Sequence, residues 1–392
     1  MKHSPAARTR IVSGQPSWRI ATRDVEAFVT EMGGHLGPVV FGRAGRRIAP
    51  FAVAPWAEER LDPSLPAIIR VLRGDFFCLP FGANATAYRG ERHPVHGETA
   101  NARWTLERAS SGPEAASIAL SLRTKVRAGR VEKRISLVAG EGAVYSEHVV
   151  SGMSGPMNFG HHAMLRFPEA EGSGVVSTSR FVHGQVFPGV FEDPAQGGYS
   201  LLAPGAVFDS LEAVRTIAGE TADLTRYPAR RGFEDLVQIA SDPDLPFAWT
   251  AVAFPRERFL WFSLKDPRVL ASTIFWFSNG GRHYPPWDGR HVGVLGLEEV
   301  TSYFHYGLAE SARRNPFSAQ GIPTCFAMDP RRPLVVRTIV GVARIPPGFD
   351  AVADVRPAPG GRLEFLSRSG KRARTRARLE FLSETSARER GL

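Results

Sequence analysis

Apolar and polar residues alternate with a period of two along much of this chain. Ile118, Leu120 and Leu122 alternate with smaller or polar residues, and a second alternating run over 131–137 follows an Ala-Gly pair. This arrangement is typical of a β-hairpin. Similar runs predict strands at RWTLER, AVYSEHVV, SLLAPGAVF, FLWFSL, STIFWFS, LVVRTIVGVARI, RLEFLS and RARLEFL. Helical periodicity is limited to one or two turns over 308–314, so the pattern predicts an all-β protein.

Turn-forming residues support the same fold class and bear on the number of domains. The 39 glycines and 30 prolines favour many turns over long helices. A length of 392 residues is enough for two domains. Because no Pro-, Gly- or Ser-rich seam divides the chain, we expect one large β-sandwich instead.

Composition excludes several classes of protein. With 43% hydrophobic and 22% charged residues, the chain has enough apolar surface to fold, which excludes disorder for most of it. No run approaches the roughly 18 apolar residues of a membrane-spanning helix, and no apolar segment follows the N-terminal charges as in a signal peptide. The two cysteines exclude a disulfide scaffold and a cysteine-built zinc site. We therefore expect a cytoplasmic protein without a membrane partner.

The formal net charge of +10 raises the question of a nucleic-acid partner. Arginines alternate at Arg372, Arg374, Arg376 and Arg378, which places all four on one face of a predicted strand. No aromatic residue lies between them, so base stacking has no support. We interpret this segment as a solvated sheet face, and predict no nucleic-acid partner.

Histidines and one acidic pair are the candidates for chemistry. His93 and His96 lie in ERHPVHGETANARW, and His161 and His162 lie in PMNFGHHAMLRF. Glu298 begins a Glu-Glu pair in GVLGLEEV, an otherwise apolar strand, where a buried acid is costly unless it is used or paired. Zinc binding by the first histidine pair with one of the second is an alternative. The sequence has no third-ligand motif for it, so we predict no metal and no cofactor.

These segments together resemble the aldose 1-epimerase (galactose mutarotase) superfamily. The similar segments are LRGDFFCLPFGAN, HPVHGETANARW, PMNFGHHAMLRF and GVLGLEEV, in the order and at the spacing found in that superfamily, with EMGGHLGPVVF before them and IPTCFAMDP after them. The resemblance covers residues 16–383. It implies a single domain over 16–383 with the superfamily's large antiparallel β-sandwich, and tails at 1–15 and 384–392.

The resemblance also implies roles for three residues. His162 matches the general acid, Glu298 the general base, and His96 the histidine of the His-Gly motif, which stabilises charge on the ring oxygen. His161 and His162 are adjacent on a predicted strand, so only one faces the site. His162 is the choice because Pro156 and Asn158 then occupy positions where the superfamily has similar residues.

Sugar contacts are less clear, because the chain departs from the superfamily's motif. After the His-Gly pair the usual Phe-Ala-Arg is replaced by Glu-Thr-Ala, so the arginine that contacts the sugar is missing. Asn101, Arg103 or Arg73 can substitute for it, and Asn84 occupies the position of a sugar-binding loop. Asp235 is the nearest counterpart of the superfamily's additional aspartate.

The implied reaction is the interconversion of the α and β anomers of a sugar or sugar phosphate. A base removes the proton of the anomeric hydroxyl, an acid protonates the ring oxygen, and the ring opens and recloses without a cofactor. We expect Glu298 and His162 to face each other across a gap wide enough for a pyranose, without bonding directly. The alternative is a sugar-binding protein without catalysis, which does not need both residues. In either case the expected partner is a small carbohydrate, and Arg73 is the candidate for a phosphate contact.

Overall fold

The computed structural model describes residues 8–383, and these form an almost entirely β structure. The predicted tail 384–392 and residues 1–7 lie outside the described residues. The first fourteen strands are β1 (Arg10–Val12), β2 (Gln15–Ala21), β3 (Val25–Thr30), β4 (Leu36–Phe41), β5 (Phe77–Cys78), β6 (Thr105–Ser111), β7 (Ala115–Thr124), β8 (Gly129–Val138), β9 (Ala143–Ser151), β10 (Gly155–Met157), β11 (Phe159–His161), β12 (Ala163–Arg166), β13 (Gly174–Thr178) and β14 (Phe181–Val186).

The second half of the chain also consists mainly of short strands. Its strands are β15 (Val207–Phe208), β16 (Val214–Arg215), β17 (Thr221–Ala222), β18 (Arg226–Tyr227), β19 (Phe233–Ser241), β20 (Ala248–Phe254), β21 (Phe259–Lys265), β22 (Ser272–Asn279), β23 (Val294–Thr301), β24 (Phe326–Met328), β25 (Leu334–Arg344), β26 (Val352–Ala358), β27 (Arg362–Ser367) and β28 (Arg372–Arg376). The helices are short: α1 (Ala67–Val71), α2 (Leu308–Ala312) and 3-10 turns at Glu98–Ala100, Pro194–Gln196, Ser318–Gln320 and Leu379–Leu382. No helix within the described residues is long and apolar enough to cross a membrane.

Two large antiparallel sheets form the sandwich. One has the order β18-β13-β20-β21-β25-β9-β8-β7-β6, and the other has the order β15-β14-β19-β22-β23-β11-β5, with β12 also paired to β23. Their facing surfaces bury a shared apolar core that includes Trp261 and Val340 from the first sheet and Phe275 and Leu297 from the second. The all-β antiparallel sandwich predicted from the alternating pattern is therefore confirmed.

Smaller sheets cover both sides of this sandwich. The three-stranded sheet β26-β27-β28 packs through Phe365 against Phe262 on the outer face of the nine-stranded sheet. On the outer face of the eight-stranded sheet, a separate apolar cluster joins Trp276 to loop residues such as Trp56. The four-stranded sheet β1-β2-β3-β4 begins at Arg10, ahead of the domain start predicted at residue 16.

The predicted strands are largely present, with two corrections. The β7–β8 hairpin places Ile118 opposite Ile135. Only Val207–Phe208 of SLLAPGAVF is a strand, because the preceding Pro204-Gly205 pair forms a turn in which Gly205 has φ +75°. RARLEFL was also predicted as a strand, but β28 ends at Arg376. A 3-10 turn then packs Phe381 edge-on against Tyr145, with ring centroids 5.1 Å apart.

The predicted arginine face is present for three of its four members. Arg372, Arg374 and Arg376 are exposed on one side of β28, whereas Arg378 lies beyond the end of the strand. Glu364 on the neighbouring strand accepts a hydrogen bond from Arg374 at 2.7 Å. Part of the positive charge of this face is therefore offset within the sheet itself.

Candidate functional site

A cavity of about 220 Å³ opens on the outer face of the eight-stranded sheet. Apolar and aromatic side chains form most of its wall: Ile68, Ile69, Leu72, Val95, Phe191, Leu236, Trp276, Tyr284 and Trp287. Its ionisable residues, apart from the tyrosine, are His96, His162, Arg282, Glu298 and His305. A mostly apolar cavity with a few converging polar groups is the usual form of a small-molecule site.

The strand β23 brings Glu298 to the floor of this cavity. Side chains alternate along a strand, so Leu297 and Glu299 face the core of the sandwich while Glu298 faces outwards. Gly296, two residues earlier on the same face, leaves the space that the carboxylate occupies. A Cβ at that position would lie 2.8 Å from Glu298 Oε1.

His162 lies next to Glu298 because of the pairing between neighbouring strands. Gly160 is opposite Val300 and Ala163 is opposite Leu297, a register that places His162 opposite Glu298. The backbone N–H of His162 donates to Phe76 O at 2.9 Å, and its ring stacks on the Phe76 ring at 4.6 Å. His162, not His161, therefore faces the cavity.

The contact between these two side chains corrects one expectation. His162 Nε2 lies 3.1 Å from Glu298 Oε1, so the two groups touch and no pyranose-wide gap separates them. The in-register pairing of their strands is the physical reason. Glu298 Oε2 and His162 Nδ1 are buried and have no hydrogen-bond partner within residues 8–383.

Burial shifts the pKa values of the cavity groups towards their uncharged forms. It raises the pKa of Glu298 well above that of an ordinary glutamate, an effect that the charge of Arg282 partly opposes. Burial lowers the pKa of His162 to about 3 and that of His305 to about 4. The touching Glu298–His162 pair is therefore neutral overall and holds one transferable proton.

A second pair of cavity residues joins two histidines. His96 Nε2 and His305 Nε2 are 3.0 Å apart, so one ring must donate to the other. His96 Nδ1 accepts from the backbone N–H of Gly82 at 3.4 Å, which assigns the ring proton of His96 to Nε2 and makes it the donor. The His96 and His162 ring centroids are 5.0 Å apart, so both pairs lie side by side.

Arg282 is fixed in the cavity wall by an acid and by aromatic rings. Its Nε donates to Glu192 Oε1 at 2.5 Å. Its guanidinium lies 4.6 Å from the Trp287 ring centroid and 5.2 Å from that of Trp276. Burial opposes its charge, but Glu234 and Glu192 more than offset burial and raise the pKa of Arg282.

A hydrogen-bonded chain behind Trp276 supports this wall. Trp276 Nε1 and Ser278 Oγ each donate to the Glu234 carboxyl at 2.9 Å. Ser278 Oγ is also 2.6 Å from His291 Nδ1. Burial raises the pKa of Glu234 to about 8, an effect that the charge of Arg282 and the two hydrogen bonds partly oppose.

The opposite face of the same sheet holds polar groups of a different kind. Glu299 faces the core, where it is 2.6 Å from Lys265 Nζ and accepts hydrogen bonds from Thr273 and Thr250. His161 Nδ1 lies 2.9 Å from Asp75 Oδ2 on that face. The Lys265–Glu299 pair is charged and fully bonded, as a structural role requires. Asp75 Oδ1 and His161 Nε2 have no hydrogen-bond partner among the described residues.

The predicted sugar-contact residues are engaged elsewhere and do not line the cavity. The Asn84 amide donates to Gly82 O and Pro94 O, and the Asn101 amide donates to Val95 O and Gly97 O. In both cases a side chain stabilises a loop, because a buried backbone carbonyl needs a donor.

Arg73, Arg103 and Asp235 are likewise held by the fold. Arg73 is fully buried and donates to Val12 O, Ser13 O and Val71 O. Arg103 is exposed and pairs with Glu31. Asp235 accepts from the backbone N–H groups of Leu201 and Leu202, while burial raises its pKa to about 7. None of these three is a residue of the cavity wall.

The histidines considered for zinc do not converge. His93 Nε2 lies 3.0 Å from Glu91 Oε2, and His93 does not line the cavity that contains His96 and His162. Within residues 8–383, no group of three or more His, Cys, Asp or Glu side chains is placed to hold a metal ion.

Arg282 is the main cavity residue that sequence reasoning missed. It lies in a loop, GGRHYPPW, without periodicity, and nothing in its local sequence distinguishes it from the other arginines. Its aromatic neighbours Tyr284 and Trp287 were the only available signal. His305 follows the acidic pair closely in the sequence, but its contact with His96 joins residues that are 209 positions apart.

Solved structures share this fold at low sequence identity. A candidate aldose 1-epimerase from Escherichia coli K12 has a TM-score of 0.56 and is 13% identical, covering 85% of this chain and 100% of its own. A candidate aldose 1-epimerase from Klebsiella pneumoniae has a TM-score of 0.57 at 15% identity, covering 81% and 76%. A galactose mutarotase-like protein from Clostridium acetobutylicum has a TM-score of 0.56 at 11% identity, covering 86% and 98%.

Sequence comparisons add nothing to this result, since no family model and no curated protein matches the chain. The chain therefore has the galactose mutarotase-like fold, as the motif resemblance implied. A fold hosts many functions, so an activity has to be argued from the chemistry of the cavity.

Proposed function

We propose that this protein is an aldose 1-epimerase, which interconverts the α and β anomers of a sugar in the cavity over Glu298. The observation that carries this proposal is the Glu298–His162 pair at the cavity floor. A neutral pair with one transferable proton and an unpartnered carboxyl oxygen is suited to a reaction that moves protons and needs no cofactor.

Direct contact between acid and base is compatible with this chemistry. The anomeric oxygen and the ring oxygen are both bonded to C1, so the groups that serve them must lie close together. The transferable proton of the pair first moves from the Glu298 carboxyl to His162 Nε2. The Glu298 carboxylate then takes the proton of the anomeric hydroxyl while His162 Nε2 donates its proton to the ring oxygen. The C1–O bond of the ring then breaks and an aldehyde forms.

Ring closure is the reverse of these steps after rotation about the C1–C2 bond. Glu298 returns its proton to the aldehyde oxygen, and His162 takes back the proton of the hydroxyl that attacks C1. The net charge of the pair is the same before and after opening, which suits a site that is buried at its floor. His96 stabilises charge that develops on the ring oxygen by turning its Nε2–H from His305 to that oxygen.

The cavity walls suit a sugar. Trp287 and Trp276 supply apolar surface to the cavity wall, and Arg282 has donors for hydroxyl groups. These contacts also serve a protein that binds a sugar without catalysis. The touching acid–base pair is the feature that this second function does not require.

Exchange NMR between anomers tests the proposal. A panel of aldoses is examined with catalytic amounts of protein, and binding of each sugar is measured separately by saturation transfer. We expect at least one aldose to show anomer exchange well above the buffer rate. Binding without faster exchange would favour the non-catalytic function, and neither binding nor exchange across the panel would contradict the proposal.

A further inference from the structure

The charge of the cavity sets which sugars it accepts. Among the described residues that line it, Arg282 is the single lysine or arginine. Arg73, the phosphate candidate from sequence, is buried elsewhere and bonded to three backbone carbonyls. A phosphorylated or acidic sugar in this cavity therefore depends on Arg282 for its counter-charge.

The positive charge of Arg282 is already paired with the carboxylate of Glu192. Glu192 is 6% exposed and bonds Arg282 Nε at 2.5 Å, while Tyr284 OH donates to the other Glu192 oxygen at 3.3 Å. Gly198 makes room for this carboxylate, since a Cβ there would lie 2.6 Å from Glu192 Oε2. The acid is therefore built into the wall directly behind the arginine.

Arg282 still has donors for an uncharged ligand. Its Nη1 and Nη2 donate no hydrogen bond to any residue within 8–383. Stacking on Trp287 and Trp276 fixes the guanidinium plane, so these donors have a defined direction. Hydroxyl oxygens can accept from them without disturbing the pair with Glu192.

We propose that the Glu192–Arg282 pair is a charge filter that makes the cavity selective for uncharged sugars over their phosphorylated or acidic counterparts. An anion beside Arg282 must compete with the buried Glu192 carboxylate. Specificity of this kind comes from a repulsive element placed against the wrong ligand. The inference rests on the proposed function for the sugar itself, whereas the charge preference follows from the pair.

Binding of matched ligands tests the filter independently of catalysis. Glucose and glucose 6-phosphate, galactose and galactose 6-phosphate, and inorganic phosphate are titrated by calorimetry into the wild-type protein. The same titrations are repeated with Glu192→Gln, which removes the negative charge that is paired with Arg282. Glu59→Gln is the matched control, since Glu59 pairs with Arg290 outside the cavity and its loss changes the net charge equally.

We expect the wild-type protein to bind a neutral sugar at least about tenfold more tightly than its 6-phosphate, since one repulsive charge is worth roughly that factor. In Glu192→Gln, the ratio of the affinity for the neutral sugar to that for its 6-phosphate should fall about tenfold or more, and inorganic phosphate should bind more tightly. Glu59→Gln should change neither this ratio nor the affinity for inorganic phosphate. Circular dichroism verifies folding, and if Glu192→Gln does not fold, the wild-type ratio decides alone.

Other results separate this inference from the proposed function. Tighter wild-type binding of the 6-phosphates would overturn the filter and leave the epimerase proposal standing. Absence of any sugar binding would contradict the epimerase proposal, while the phosphate titration still decides the filter. If the wild type and Glu192→Gln bind inorganic phosphate with equal affinity, the charge filter is overturned.

Discussion

The two faces of strand β23 use the same residue type for opposite purposes. Glu299 faces the core of the sandwich, where Lys265 and two threonine hydroxyl groups bond its carboxylate. Glu298 faces the cavity, touches His162, and leaves one oxygen without a partner among the described residues. A satisfied buried acid stabilises a fold, whereas an incompletely satisfied one is available for a ligand.

The neighbouring histidines also face opposite sides of the sheet, although in both pairs one ring nitrogen and one carboxyl oxygen lack a hydrogen-bond partner among the described residues. His161 bonds Asp75 in the sandwich interior, and His162 contacts Glu298 in the cavity. Adjacent residues therefore differ in role because a strand sends them to opposite sides of one sheet. Substitutions on the cavity face should reduce activity and spare stability, and substitutions on the core face should do the reverse.

The largest effect is expected for Glu298→Gln on the cavity face. The amide keeps the shape of the side chain but cannot accept the hydroxyl proton, so kcat/KM for anomer exchange should fall about 10³-fold. The free energy of unfolding should stay equal or rise, because the amide replaces an acid whose pKa burial has raised. Exchange NMR and urea unfolding measure the two quantities. A fall in activity below about tenfold would contradict the assigned role.

Glu299→Gln is the matched change on the core face. It leaves the buried Lys265 ammonium without its carboxylate, so the free energy of unfolding should fall by about 3–5 kcal/mol. The remaining folded protein should exchange anomers at nearly the wild-type rate. Urea unfolding together with exchange rates corrected for the folded fraction checks this. An inactive but fully stable variant would reverse the assignment of the two faces.

Substitution of the adjacent histidines should give the same contrast between activity and stability, with smaller effects. His162→Gln should lower kcat/KM about 10²-fold with little change in stability, because it removes the proton donor to the ring oxygen. His161→Gln should lower the free energy of unfolding by about 1–3 kcal/mol, because the Asp75 carboxylate loses its partner. Equal losses of activity in both variants would show that the faces are not functionally separate.

The smallest effect is expected from pH. Burial holds the pKa of His162 near 3 and that of His305 near 4, and it raises that of Glu298. The pair loses its transferable proton only above the raised glutamate pKa and gains a second one only below the lowered histidine pKa. Consequently kcat/KM should stay nearly constant across the ordinary histidine pKa of about 6.5. A titration step near pH 6.5 would indicate an ordinary exposed histidine in the reaction instead.

Much of the fold was predictable because alternation is a local property of the chain. The β7–β8 hairpin has a clear period-two run, strands β21, β22 and β25 have short runs rich in apolar residues, and the structure contains all of them. The strand predicted over RARLEFL failed because Phe381 packs on Tyr145, a contact that requires knowledge of a distant strand. Helix α1 also lacked a periodic signal, since a helix of 5 residues is too short to show one.

Part of the candidate site was likewise predictable from the sequence, and part was not. His96, His162 and Glu298 were identified from their motifs, and all three line one cavity. The contact between Glu298 and His162 depends on the register of two strands, which the sequence alone does not specify. Asn84 and Asn101 were interpreted as sugar ligands, whereas their amides bond loop carbonyls. Composition cannot distinguish these two uses of an amide.

The most direct test of the account is a crystal structure of Glu298→Gln soaked with the aldose that the wild-type protein equilibrates fastest. The account predicts the sugar in the cavity, with its anomeric oxygen within hydrogen-bond reach of the side chain at position 298. Its ring oxygen should lie within reach of His162 Nε2, and its hydroxyl groups should accept from Arg282. A sugar bound on another surface, or with C1 directed away from position 298 and His162, would contradict the account.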